Sequence, residues 1–182
     1  MLSLVPSSLM ELSVDCDVQG PTEGIDSFLS CVARLQHLTR LELEVGSTGS
    51  DWPTVGHAYS ALTASSKLAQ LDIVVTGLPM GIWPYVFSGA HKLPHLTYLD
   101  LRDSDYDDAD AFAFSPRWGA ADLASLVSCC PSLCCIGTLS LQPGLHVSEL
   151  HKLTALTRVD VWCYSDNAFA VVDSVRGLAA VT

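Results

Sequence analysis

The stretch Leu35-Gln-His-Leu-Thr-Arg-Leu-Glu-Leu43 recurs with few changes as Leu93-Pro-His-Leu-Thr-Tyr-Leu-Asp-Leu101. In both stretches, leucine stands at the first, fourth, seventh and ninth positions, and the closing Leu-x-Leu alternates like a half-buried strand. Four further copies of this apolar spacing, two of them weaker, are Leu133-Ile136-Leu139-Leu141, Leu153-Leu156-Val159-Val161, Leu68-Leu71-Ile73 and Leu9-Leu12-Val14. One spacing repeated in strand context predicts an architecture built from repeats.

The distances between copies support this interpretation. The central apolar residues are Leu12, Leu41, Leu71, Leu99, Leu139 and Val159, so the steps are 29, 30, 28, 40 and 20 residues. Solenoid repeats are typically about 20–30 residues long, so the longest step is expected to contain an insertion. The pattern predicts an α/β solenoid in which each Leu-x-Leu is a strand of a parallel sheet. A helix or loop then returns along the other side.

From about Leu9 to its last residue, the chain resembles the leucine-rich-repeat family. The resemblance implies a curved solenoid with a parallel concave sheet and with helices and loops on the convex side. The step Cys130-Pro131-Ser132-Leu133 is similar to the Cys-Pro-x-Leu step of intracellular, cysteine-containing or ribonuclease-inhibitor-like repeats. The Asn found at a fixed position in many family members is missing, since Asn167 is the only Asn in the chain.

The length of 182 residues suits one domain, a single solenoid of about six repeats over 1–182. No polar capping repeat is recognisable at either end of the sequence. Because solenoids need such caps, we expect the chain to be a fragment of a longer array.

Charge and cysteine content limit the classes of partner. Twenty Asp and Glu residues against nine Lys and Arg residues give a formal net charge of −11. This disfavours nucleic acid and anionic membranes, and it favours either a basic protein partner or solubility alone. No apolar run reaches about 18 residues, so no membrane span is expected. Seven cysteines without a disulfide framework indicate a reducing compartment, the cytoplasm or nucleus.

The residues between the leucines should line the opposite, concave face of the sheet, because side chains alternate along a strand. The predicted rows are Glu11-Ser13-Asp15, Arg40-Glu42-Glu44, Gln70-Asp72-Val74, Tyr98-Asp100-Arg102, Thr138-Ser140-Gln142 and Arg158-Asp160-Trp162. Their middle column reads Ser13, Glu42, Asp72, Asp100, Ser140 and Asp160. Glu42, Asp72 and Asp100 should therefore form a ladder of carboxylates across neighbouring strands, about 4.8 Å apart.

Like charges side by side are unfavourable, so an acidic ladder suggests a positively charged partner. The candidate partner-binding residues are Arg40, Glu42, Glu44, Asp72, Tyr98, Asp100, Arg102, Arg158, Asp160 and Trp162. Tyr, Arg and Trp dominate interface hot spots, which singles out Tyr98, Arg102, Arg158 and Trp162 as anchors. The alternative is that these polar residues are only water-compatible filling.

The long repeat contains an acidic and aromatic insertion at 103–118. It could hold a basic peptide, or it could be a solvated loop whose aromatic residues Phe112, Phe114 and Trp118 pack on the solenoid, and we favour the loop. Asp103, Asp105 and Asp107 resemble the start of a calcium loop. However, the sixth and twelfth positions are not Gly and Glu, so no calcium site is expected.

No catalytic or metal site is predicted. The four clustered cysteines, Cys129, Cys130, Cys134 and Cys135, lack two separated ligand pairs and are interpreted as buried packing rather than zinc ligands. Phosphate-binding, nucleophile-elbow and zinc-protease motifs are missing, so no enzyme activity, cofactor or small-molecule substrate is expected.

The sequence thus favours a non-enzymatic protein-interaction module in the cytoplasm. One alternative is the substrate-recognition part of an F-box ubiquitin-ligase subunit. Another is a structural repeat of a cytoskeletal or axonemal assembly.

Overall fold

The computed structural model describes residues 6, 8–18, 23–47, 56–75, 81–88, 91–102, 118–140 and 147–162 of the chain. Within these residues, six strands form one open sheet in chain order, and every neighbouring pair is parallel. The strands are β1 Glu11–Val18, β2 Arg40–Ser47, β3 Gln70–Val75, β4 Tyr98–Arg102, β5 Cys135–Ser140 and β6 Arg158–Trp162. The predicted α/β class and parallel sheet are confirmed.

Short helical segments lie in the connections between the strands. They are α1 Glu23–Val32, a 3₁₀ helix at Gly56–Thr63, α2 Trp83–Val86, α3 Ala120–Cys129 and a second 3₁₀ helix at Val147–Lys152. Each of these segments contacts the next one along the chain. This stacking in chain order is compatible with a solenoid.

Helix α3 shows how the sequence specifies such a segment. The backbone N–H of Gly119 donates a hydrogen bond of 2.8 Å to the Asp122 carboxylate, which also places a negative charge at the positive end of the helix. Leu123, Leu126 and Cys129 follow at intervals of three and are buried. This spacing gives the helix one apolar face, which is the face it turns to the core.

The leucines of the repeats meet in one continuous core. Leu41 and Leu71 are completely buried, and Leu99 and Ile136 in the next strands are 1% exposed. Buried residues from the returning segments belong to the same cluster. The outermost described apolar residues of the sheet, Leu12 and Val14 in β1 and Val159 in β6, are only partly buried, because in the described structure they have a neighbouring strand on one side.

A repeated hydrogen-bond pattern joins the turns that precede the strands. The carbonyl oxygen of Met10 accepts the N–H groups of Thr39 and Arg40, and the same double contact recurs before each later strand. The hydroxyl of Thr39 also donates to that carbonyl, at 2.9 Å. Thr97 and Thr157 make the equivalent hydroxyl contacts before β4 and β6. The Leu-Thr step before three strands therefore has a structural role that supports the turn.

The register corrects the predicted phase of the fifth repeat. Ile136, and not Leu139, lies opposite Leu99 of β4 and Val159 of β6. The sequence steps on either side are thus 37 and 23 residues instead of 40 and 20. The cause is a register shift between Ile136 and Thr138, where Gly137 is an extra residue in β5. The shift makes Leu139 the partner of Val161.

An aromatic stack anchors the chain directly after the long insertion. The indole rings of Trp83 and Trp118 are parallel within 9°, with centroids 4.4 Å apart, and Phe87 lies beside Trp118 at 5.7 Å. All three residues are buried. The predicted packing of Trp118 against the repeats is confirmed, whereas Phe112 and Phe114 lie outside the described residues.

Candidate functional site

The face of the sheet opposite the leucine core is here called the polar face. Its described side chains include seven carboxylates, from Glu11, Asp15, Glu42, Glu44, Asp72, Asp100 and Asp160, and two guanidinium groups, from Arg40 and Arg158. They reach one face because alternate residues of a strand point the same way and the other set is buried in the core. Parallel register then brings the rows of six strands together.

The predicted acidic ladder is present in the register. Glu42 of β2 lies opposite Asp72 of β3, and Asp72 lies opposite Asp100 of β4. Neighbouring strands are about 4.8 Å apart, so the three carboxylates occupy adjacent positions across the middle of the face. The fifth position differs from the prediction. Ser140 pairs with Trp162, and Thr138 takes its place opposite Asp160.

Two arginines partly neutralise carboxylates of the polar face from within their own strands. Arg40 contacts Glu42 at 3.1 Å in β2, and Arg158 contacts Asp160 at 2.6 Å in β6. The hydrogen bond and the negative charge of Asp160 raise the pKa of Arg158 above its usual value. Both pairs are solvent-exposed, and exposed ion pairs stabilise a fold little. A competing cation can therefore replace either arginine at low cost.

The centre of the polar face is more enclosed than its ends. Asp100 is only 7% exposed, and the Tyr98 hydroxyl donates to its carboxylate at 3.4 Å. Burial raises the pKa of Tyr98, and the negative charges of Asp100 and Asp72 add to this effect. At neutral pH the phenol thus remains a hydrogen-bond donor beside two carboxylates.

Gly137 makes room for the Asp100 side chain. A Cβ atom built on Gly137 would lie 2.2 Å from both Cγ and Oδ1 of Asp100, far inside van der Waals contact. The bulged glycine of β5 and the buried carboxylate of β4 therefore fit together. The predicted rows do not contain this contact. The sequence feature that could have indicated this contact is a glycine inside a strand, which often marks a close approach of another group to the backbone.

The other predicted partner-binding residues are placed as follows. Glu44 is exposed and lies opposite Asp15 and Val74. The backbones of Arg102 and Trp162 belong to β4 and β6, so both occupy predicted strand positions, but their side chains lie outside the described part. The register shift adds Cys135, opposite Tyr98 and Arg158, which the predicted rows omit.

Insertion residues 103–117 lie outside the described part of the chain, and so does the acidic segment compared with a calcium loop. Among the described residues, no group of three or more His, Cys, Asp or Glu is arranged to hold a metal ion. Cys129 and Cys130 are buried free thiols, and the Cys129 thiol donates to the His91 carbonyl at 2.9 Å. The hydrogen bond with the neighbouring Cys129 sulfur and the burial of the group both raise the pKa of the Cys130 thiol, so this thiol stays protonated at neutral pH.

No helix in the described ranges combines the length and the apolar character needed to cross a bilayer. Comparison of the chain with protein-family models, with curated proteins and with solved structures found no match.

Proposed function

We propose that this chain is a leucine-rich-repeat solenoid and that its polar face binds basic side chains of a protein partner. It acts without catalysis or a cofactor, as an interaction module in a reducing compartment such as the cytoplasm. The observation that carries the proposal is the in-register ladder Glu42, Asp72 and Asp100, on a sheet face that the described returning segments leave uncovered.

The charge balance of the face supports a basic partner. Among the described side chains of this face, seven carboxylates against two guanidinium groups favour a negative potential over the sheet, which attracts Lys and Arg and speeds association. Like charges on neighbouring strands destabilise the free protein slightly. A bound cation removes that repulsion, and this difference between the free and bound states favours binding.

The polar face also has groups that can give a contact specificity. Tyr98 is a half-buried aromatic side chain with a protonated hydroxyl, which donates a hydrogen bond to Asp100. Aromatic residues in partly desolvated surroundings are frequent hot spots. We assign Tyr98 as the central anchor, with Glu42, Asp72 and Asp160 as the carboxylates that receive basic groups.

A matched pair of variants tests the proposal. Glu42→Gln removes one carboxylate from the polar face, whereas Glu149→Gln removes one from the second 3₁₀ helix. Both are paired with a basic residue of their own element, Arg40 at 3.1 Å and Lys152 at 2.6 Å, and both substitutions change the net charge by the same amount. Any difference between them therefore reports position and not total charge.

The probe is a fluorescent peptide of alternating Lys and Gly, followed by anisotropy at low and physiological salt. We expect Glu42→Gln to weaken binding about two- to fivefold, the value of one exposed ion pair, and Glu149→Gln to leave it unchanged. Asp72→Asn should weaken it similarly. Equal loss with Glu42→Gln and Glu149→Gln would show that the attraction comes only from the net charge of −11, and the proposal would be rejected.

A further inference from the structure

Two strands of the polar face carry the same charged pair. β2 contains Arg40-Leu41-Glu42, and β6 contains Arg158-Val159-Asp160. Residues two apart on a strand point to the same side and lie about 6.6 Å apart, so a long arginine side chain can reach the carboxylate that follows it. Both arginines do so, at 3.1 Å in β2 and 2.6 Å in β6. The corresponding positions of the three strands between them are uncharged or acidic by residue type, namely Gln70, Tyr98 and Cys135.

The pair in β2 does not depend on an open edge of the sheet, because β2 lies between β1 and β3. In the register, Arg40 lies opposite Glu11 of β1, another carboxylate of the polar face. Within the described part of the chain, however, the ion pair of Arg40 is with Glu42 and not with Glu11. The Arg40 guanidinium is therefore directed at a carboxylate of the ladder.

This pair is accessible to solvent and easily broken. The side chains of Arg40 and Glu42 are 44% and 41% exposed. Exposed ion pairs stabilise a fold little, so separating the two side chains costs little. Glu42 can therefore exchange the guanidinium of Arg40 for a basic group of a partner.

Arg40 and a partner's basic group compete for the same carboxylate. Arg40 is tethered two residues from Glu42, so it is present at the carboxylate at any concentration of partner, whereas the partner has to arrive from solution. The positive charge of Arg40 also repels an approaching Lys or Arg. The presence of Arg40 should thus lower the affinity of the ladder for basic groups by about two- to fivefold, the value of one exposed ion pair.

We infer that Arg40 is an intramolecular competitor of the basic partner. In the free protein it occupies the Glu42 carboxylate, and the partner's basic group has to displace it. Arg158 acts in the same way at Asp160. This inference rests on the proposed function for the basic character of the partner, and it adds how the affinity of the polar face is set. A competitor weakens binding, whereas a contact residue, the role predicted for Arg40 from the sequence, strengthens it.

The test compares Arg40→Gln with Lys152→Gln in the full chain. Each substitution removes one positive charge from an exposed ion pair, that of Arg40 with Glu42 at 3.1 Å or that of Lys152 with Glu149 at 2.6 Å. The probe is the fluorescent peptide of alternating Lys and Gly, followed by anisotropy at low and physiological salt. We expect Arg40→Gln to tighten binding about two- to fivefold and Lys152→Gln to leave it unchanged. Arg40→Lys retains a cation at this position and should bind like the unchanged protein.

A double variant separates competition for Glu42 from the general loss of a positive charge on the polar face. In Glu42→Gln, Arg40 has no carboxylate to occupy at this position. Adding Arg40→Gln should therefore tighten binding clearly less than it does in the unchanged protein. Urea unfolding of each variant checks that the fold is retained.

Competition is overturned if Arg40→Gln binds no more tightly than Lys152→Gln, or if its gain is equally large in the Glu42→Gln background. Weaker binding by Arg40→Gln would make Arg40 a contact residue and would also overturn the inference. Any of these results, with selective weakening by Glu42→Gln retained, would leave the proposed function standing. Equal effects of Glu42→Gln and Glu149→Gln would reject the proposed function and this inference together.

Discussion

Replacing Gly137 by Ala should destabilise the sheet because of a contact between β4 and β5. The new Cβ atom would lie 2.2 Å from Cγ and 2.7 Å from Oδ2 of Asp100, where an ordinary contact needs at least about 3.4 Å. Asp100 therefore has to move by more than about 1 Å. The Asp100 side chain is short, 7% exposed and hydrogen-bonded by Tyr98, so little free space is available to it.

Overpacking of this kind typically costs about 1–3 kcal/mol. Gly56→Ala is the matched control, because its Cβ would also lie 2.2 Å from a side chain, that of Tyr85. Tyr85 is 46% exposed and can swing into water, so we expect a cost below about 1 kcal/mol there. The two substitutions are chemically identical and differ in the freedom of the neighbour.

The assay is urea unfolding followed by far-UV circular dichroism, with equal denaturant slopes required for the comparison. A second variant, Asp100→Ala, removes the side chain that the new methyl group meets. In the Asp100→Ala background, Gly137→Ala should become nearly neutral. The two positions, which are neighbours across β4 and β5, should therefore show a coupling energy of about 1 kcal/mol or more. The reasoning is refuted if Gly137→Ala costs no more than Gly56→Ala, or if Asp100→Ala does not relieve it.

Two further predictions concern the core and the titration of the polar face. Leu71→Ala should lower the free energy of unfolding by about 2–5 kcal/mol, because Leu71 is completely buried. Leu12→Ala should lower it by clearly less, because Leu12 in β1 is only partly buried. Equal costs in urea unfolding would contradict the described burial. The raised pKa of Tyr98 means that the unfolded state ionises first as pH rises, so this residue's contribution is complete below about pH 10 and is lost as pH rises through the folded-state pKa. Asp100→Asn should lower the pKa of Tyr98, because it removes a nearby negative charge. The titration of Tyr98 is measured as the difference in phenolate absorbance between each protein and its Tyr98→Phe variant. An unchanged titration would argue against the electrostatic cause.

Much of the sheet could be predicted from local sequence alone. The spacing of Leu35, Leu38, Leu41 and Leu43 specifies which residues are buried, because alternation along a strand is a local property of the backbone. Regular steps of 28 to 30 residues over the first four repeats predicted the correct register for β1 to β4. The ladder of Glu42, Asp72 and Asp100 follows directly from that register.

The fifth repeat could not be predicted in the same way. Its sequence offers Leu133, Ile136, Leu139 and Leu141 at suitable intervals, so an apolar pattern fits more than one phase. The choice depends on the contact of Gly137 with Asp100, two residues far apart in sequence, and on pairing with β6. Spacing rules do not contain this contact.

The residue types and the alternation of side chains along each strand were enough to specify the repeating strands, the apolar side of the sheet and the acidic character of the other side. Other features required the folded chain: Asp100 is buried while Glu44 is exposed, Trp83 stacks on Trp118, and β1 forms the longest open edge in the described sheet. These features depend on which distant segments become neighbours, and that is set by packing of the whole chain rather than by any local pattern.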